Sequence, residues 1–144
     1  MASASRELLA SRGDVWRFLA EPYHLADWWP GLRGVEPDRR GFSPGARWQV
    51  TTADQTSVLG LPRRHDFGRT VAGTLVITAI VPFERWSWQL IRRGRVRTGT
   101  LTVEIALREA AAGRTQVTIE APGRSLAKVA LGRLYDLVQT SAAL

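Results

Sequence analysis

Chemistry in this sequence has to come from a short inventory of side chains. His24 and His65 are its only histidines, and it has no cysteine. The two histidines lie in different segments without helical or hairpin spacing, and a metal site would need carboxylates to complete it. Arg63 and Arg64 precede His65 and repel a cation, so neither a metal site nor a cofactor is expected. His65 and Asp66 stand side by side in a long loop. Adjacent residues need not face each other, so a solvated loop is the expectation, and whether the pair reaches a cavity stays open. Gly41-Phe42-Ser43-Pro44-Gly45 fits the G-x-S-x-G nucleophile elbow. The mechanism rejects it. An elbow needs a helix after the serine, whereas a strand follows here. The next residue must also donate its backbone N–H to an oxyanion, and Pro44 has none. A Pro-Gly turn feeding the strand at Trp48 is expected instead.

Tryptophans and arginines say more. Trp48, Trp86 and Trp88 fall on strand faces shared with Val50 and Leu90. They either line a cavity for a flat or greasy molecule, ordinarily ~300–1,000 Å³, or fill the core at ~150–250 Å² of buried area each. Small inward residues at Ala46, Gly73 and Gly99 favour space. Trp16 reads as core, while Trp28 and Trp29 rim an opening or anchor a short helix. By strand parity Arg6, Arg69 and Arg97 face inward with Leu8, Leu75 and Leu101, whereas Glu104 and Glu120 face outward. An inward charge is costly unless paired. These arginines therefore either snorkel to water from strand ends or offer a planar fork to a ligand carboxylate or enolate. Arg92, Arg93, Arg95 and Arg97 together read as a solvated hairpin tip. No catalytic residue is assigned. Acid–base catalysis needs a titratable group inside the pocket, and Tyr23, His24, Asp27 and His65 reach it only from short helices or loops.

The elements that position these residues follow from periodicity. Ala2 to Ala10 alternates weakly as a strand. Ser11 caps a helix, with Asp14 in the capping-box position, and Pro22 stops it. A second short helix runs from Tyr23 to Trp28. Strands are expected at Arg47–Thr51, Arg69–Ile80, Arg85–Ile91, Thr98–Leu107 and Thr115–Glu120. A long loop from 53 to 68 holds one more possible strand at Ser57–Leu59. Connections of two to four residues force antiparallel pairing. Leu126, Val129, Ala130, Leu134, Leu137 and Val138 form one apolar stripe, so Leu126 to Thr140 reads as an amphipathic helix capped by Ser125.

The chain has 144 residues, 44% hydrophobic and 23% charged. That suits a single domain spanning 1–144 and excludes wholesale disorder. Net charge is +7, but 19 of the 20 basic residues are Arg and Asn is absent. The arginines are scattered from Arg6 to Arg133, a compositional skew rather than a phosphate-binding stripe, so no nucleic-acid partner is expected. The longest apolar run, Thr74 to Phe83, is about half the ~20 residues of a membrane helix. No span and no secretory leader are expected, and a cytoplasmic location is the default.

Two motifs carry a family resemblance. Ala10-Ser11-Arg12-Gly13-Asp14-Val15-Trp16-Arg17-Phe18-Leu19-Ala20-Glu21-Pro22 resembles the opening of the START/SRPBCC helix-grip superfamily. Glu84-Arg85-Trp86-Ser87-Trp88 resembles its polyketide cyclase/dehydrase-like branch, and the element order agrees over the whole chain. The resemblance implies an α+β fold: a curved antiparallel sheet of six to seven strands around a C-terminal helix, with two short helices after the first strand. That superfamily includes lipid carriers, cyclases, sensors and interaction modules, so the fold does not decide the function. The leading expectation is binding of a small hydrophobic or polycyclic molecule, neutral or anionic, between sheet and helix, by a monomer or homodimer. Trp48, Trp86, Trp88, Leu101 and Leu134 would supply the walls, and Arg69 and Arg97 an anchor. The alternatives are an aromatase/cyclase-type enzyme and a protein-interaction module.

Overall fold

The computed structural model describes residues 2–53, 70–93 and 98–142. Strand β1 (Ala2–Leu8) leads into helix α1 (Arg12–Ala20), a 3-10 turn (Pro22–His24) and helix α2 (Leu25–Trp28). Strands β2 (Leu32–Glu36), β3 (Arg47–Ala53), β4 (Thr70–Val81), β5 (Arg85–Arg93), β6 (Thr98–Ala111) and β7 (Arg114–Ala121) follow, then helix α3 (Arg124–Ala142). The seven strands among the described residues form one antiparallel sheet in the order β1-β7-β6-β5-β4-β3-β2. This is the helix-grip architecture that the sequence implies.

Local signals act as expected in α1. Ser11 has an extended backbone and its hydroxyl accepts the Asp14 N–H at 3.2 Å, satisfying one of the helix's orphan donors. The helix stops before Pro22, and Val15, Trp16 and Leu19 are buried. α3 begins one residue earlier than its expected cap. The Gly123 carbonyl accepts from Ala127 N–H at 3.3 Å, so Gly123 caps the helix and Ser125 lies inside its first turn. Its buried face is Ala127, Ala130, Leu131, Leu134 and Val138. Val129, expected in the stripe, is 46% exposed.

The seventh strand is β2, which pairs with β3 through a register shift between Leu32 and Gly34. Ser57–Leu59, the alternative seventh strand, lies outside the described residues. On the outer face Arg85 pairs with Glu104 at 3.2 Å, in keeping with outward parity.

The interior tapers. Inward residues on β5 run Trp86, Trp88, Leu90, Arg92, and those on β3 run Trp48, Val50, Thr52, with Ala46 just before it. Across the ladders Trp88 faces Val103 and Ile77, Leu90 faces Leu101 and Leu75, and Arg92 faces Gly99 and Gly73. Bulk therefore falls from the β4–β5 turn towards the ends of β3, β5 and the start of β6. Gly73 is not simply space. A Cβ there would lie 2.9 Å from the Ile91 carbonyl oxygen, so glycine allows β4 and β5 to approach where the sheet coils. At Gly99 a Cβ would meet nothing within 4 Å.

Candidate functional site

The wide end of the taper is an aromatic cluster. β5 supplies Trp86 and Trp88, stacked at 5.3 Å between centroids, and β3 supplies Trp48, 5.9 Å from Trp86. α2 contributes Trp28, and Trp29, the extended residue after it, is buried as well. Trp29 meets Trp88 edge-on at 5.0 Å, and Trp28 lies 6.5 Å from Trp86. Phe42, from the β2–β3 loop, meets Trp86 at 5.0 Å and bridges to Trp16 of α1 at 5.5 Å. Edge-on and offset pairs of this kind add about 0.5–1.5 kcal/mol beyond burial.

Asp38 holds the loop that delivers Phe42. Its carboxylate accepts backbone N–H bonds from Arg47 at 2.9 Å, Arg40 at 3.0 Å and Gly41 at 3.2 Å. The Arg47 bond foremost holds the Asp38 pKa below its ordinary value. The same loop contains the G-x-S-x-G pattern, and it is a turn. The Ser43 hydroxyl donates to the Arg40 carbonyl at 3.0 Å, and Gly45 N–H bonds the Ile77 carbonyl at 2.8 Å.

The cluster's polar atoms are unevenly served. Trp48 Nε1–H donates to the Gly41 carbonyl at 2.7 Å. The Nε1–H groups of Trp28, Trp86 and Trp88 are buried without an acceptor among the described residues. A buried donor left unpaired costs about 1–3 kcal/mol. Phenylalanine would provide most of the apolar packing without that penalty.

At the narrow end a cavity of about 90 Å³ lies between the sheet and the start of α3. Its lining includes Trp29, Thr52, Leu90, Arg92, Leu101 and Leu126. The volume equals about three waters at ~30 Å³ each. A second, open groove of about 410 Å³ lies between β1 and α3.

The expected site residues distribute as follows. Trp48, Trp86 and Trp88 join in one cluster through Trp86, and neither of these two cavities touches them. Leu101 lines the smaller cavity, while Leu134 is wholly buried in the core beneath α3. Arg69, Arg97, His65 and Asp66 lie outside the described residues. Arg6 is exposed at the sheet edge, its guanidinium carbon 3.9 Å from the Tyr135 ring centroid. His24 Nδ1 bonds the Phe18 carbonyl at 2.9 Å and its ring stacks on Phe18 at 4.1 Å, a structural role. Tyr23 and Asp27 are exposed.

The sequence reading missed Arg92, which is half-buried and lines the cavity rather than extending a solvated hairpin tip. The parity of Trp86, Trp88 and Leu90 already places it inward. Thr52 follows Trp48 and Val50 in the same way and is buried.

Residues 9–139 match the model of a protein family described as "Activator of Hsp90 ATPase homolog 1-like protein". None of the curated proteins matches the sequence. Solved structures share the fold. A protein from Chromobacterium violaceum is 19% identical, with 96% of each chain covered and a TM-score of 0.66. Ara h 8.0201 is 12% identical over 96% of this chain and 98% of that one, with a TM-score of 0.63. The di-domain ARO/CYC StfQ from the steffimycin biosynthetic pathway is 15% identical, with a TM-score of 0.64. There 99% of this chain matches 44% of that one. No helix among the described residues is long and apolar enough to cross a membrane.

Proposed function

We propose a function on the premise that this chain belongs to the activator of Hsp90 ATPase homolog 1-like family, within the helix-grip superfamily: it binds a small hydrophobic molecule between the sheet and α3. The observation that carries this reading is the trio of buried, unpaired indole N–H groups on Trp28, Trp86 and Trp88. An aromatic guest with acceptor oxygens would offset their penalty, whereas a plain core would gain by losing them. The guest enters at the narrow end, where Trp29 is both a wall of the small cavity and the 5.0 Å neighbour of Trp88. About 90 Å³ is below the ordinary ligand pocket, so binding requires Trp29 to swing aside. Arg92 is the one ionisable group among the cavity's described lining residues, and it faces an acidic group on the guest.

The test is tryptophan fluorescence during titration with flat aromatic polyols, fatty acids and sterols, repeated in Trp88→Phe. Saturable quenching that weakens in Trp88→Phe, while the fold keeps or gains stability, supports the reading. In Arg92→Met an acidic ligand should weaken roughly tenfold or more relative to its neutral ester. Absence of saturable quenching across the panel defeats it.

A protein-interaction module is the second reading, favoured by the close packing of Trp28, Trp29, Trp48, Trp86, Trp88 and Phe42 where a wide pocket would otherwise lie. An aromatase/cyclase would need an acid or base at the cavity, and none of the described lining residues other than Arg92 ionises.

A further inference from the structure

The open groove beside β1 has a different character from the interior. Four consecutive residues, Ser3, Ala4, Ser5 and Arg6, line one side, and Arg124, Lys128 and Leu131 of α3 line the other. A groove on the face of a sheet is lined by alternate residues. A run of consecutive ones means that it follows the strand's edge. Among the described residues β1 is an edge strand, paired with β7 alone. In an antiparallel pair alternate residues turn their N–H and C=O groups away from the partner, so this edge carries unpaired backbone groups along seven residues. The three charged residues among its described lining are all cations, and none of that lining is a carboxylate. None of the ion pairs among the described residues engages Arg6, Arg124 or Lys128. The first turn of α3 carries no acid, so its helix dipole adds to the positive potential. Tyr135 beneath Arg6 fixes that guanidinium at the groove.

We propose that this groove docks an extended, acidic segment of a partner protein, which adds as an eighth strand along β1 and sets alternate carboxylates against Arg6, Arg124 and Lys128. Backbone pairing supplies affinity and the cations supply selection, the usual division of labour in strand addition. A second copy of this chain fits less well, because edge-to-edge pairing of two β1 strands brings the two sets of cations together. The proposal is independent of the interior ligand.

The test is fluorescence anisotropy with a labelled eight-residue peptide alternating Glu and Val. Three controls accompany it: the same peptide N-methylated at alternate residues, a polyglutamate of equal charge, and anionic phospholipid vesicles. Saturable binding is expected, lost on N-methylation, and weakened about tenfold by Arg124→Gln and further by Arg124→Gln with Lys128→Gln. Both side chains are exposed, so these variants keep the fold, which circular dichroism verifies. Amide chemical-shift changes should concentrate in residues 2–8. Binding insensitive to N-methylation, equal binding of polyglutamate, a preference for the vesicles, or no binding of the alternating peptide would each overturn the proposal.

Discussion

Replacing Leu101 by Phe probes the narrow end of the interior directly. Leu101 is half-buried and lines the cavity, opposite Leu90 across the β5–β6 ladder. Unfilled volume in a core costs about 24 cal/mol per Å³. The whole of a cavity near 90 Å³ therefore corresponds to roughly 2 kcal/mol. Phe adds three carbons to Leu, which at ~0.8 kcal/mol per buried carbon gives the same ceiling. Thr52 and Arg92 make the lining partly polar, so about half that gain, near 1 kcal/mol, is the reasoned expectation. For a chain of this length it raises the melting temperature by roughly 3–4 °C. The same ring occupies the proposed entrance, so tryptophan quenching by the ligand panel should fall as stability rises. Thermal melts and titrations on one sample measure both. A loss of about 1–3 kcal/mol would mean that the ring overpacks and that the volume is not free. A gain in stability with undiminished quenching would refute the entrance.

Three further predictions follow from residues whose surroundings are fixed. Leu134→Ala should cost about 2–5 kcal/mol in denaturant unfolding, because Leu134 is wholly buried between α3 and the sheet. Gly73→Ala should destabilise by roughly 1–3 kcal/mol, since its Cβ would press on the Ile91 carbonyl. Gly99→Ala should be neutral or better, and equal losses at the two glycines would contradict the geometry. Asp38 gives a pH signature. Its pKa is lowered in the fold, so its contribution is complete above the ordinary 3.8 and is lost as pH falls through the lowered value. Trp48 fluorescence in the native protein should report loosening of the β2–β3 loop below pH ~4, and Asp38→Asn should abolish that transition.

Most of the fold was legible because antiparallel strands with one buried face alternate cleanly, as in Trp86–Ser87–Trp88–Gln89–Leu90. The alternation fails for β2. Leu32 and Val35 are both buried though three residues apart, because the irregularity between Leu32 and Gly34 shifts the pairing by a residue. A period-two search cannot find such a strand. The cap of α3 lies two residues before Ser125 because the Gly123 carbonyl accepts the Ala127 N–H, and the chain enters there at φ 136°, which favours glycine over serine. Arg92 was legible by parity and was hidden by its neighbours, since a run of arginines reads as solvated until each is placed on its face.

Parity tells which side chains point inward, but what meets them there is decided elsewhere. Trp48, Trp86 and Trp88 face the interior, as alternation requires. Whether they line a cavity or fill a core depends on what the far side supplies. That supply comes from outside the ladder: Trp28 and Trp29 from the end of α2, and Phe42 from a loop tied down by Asp38. None of these positions has a strand or helix period that announces its depth. Trp28 and Trp29 are adjacent in sequence and both buried, although the helix stops between them. α2 ends at Trp28, and Trp29 adopts an extended backbone, φ −87° and ψ 121°. Three aromatic residues in irregular positions thus turn the wide half of the interior into a ring cluster and leave the opening to the half lined by Thr52, Leu90, Arg92 and Leu101. The chemistry a ligand would meet is accordingly set by the last inward residues of β3 and β5 and the first of β6. In the proposed binding mode the tryptophans behind them act through their orphaned N–H groups and through Trp29, which touches both halves.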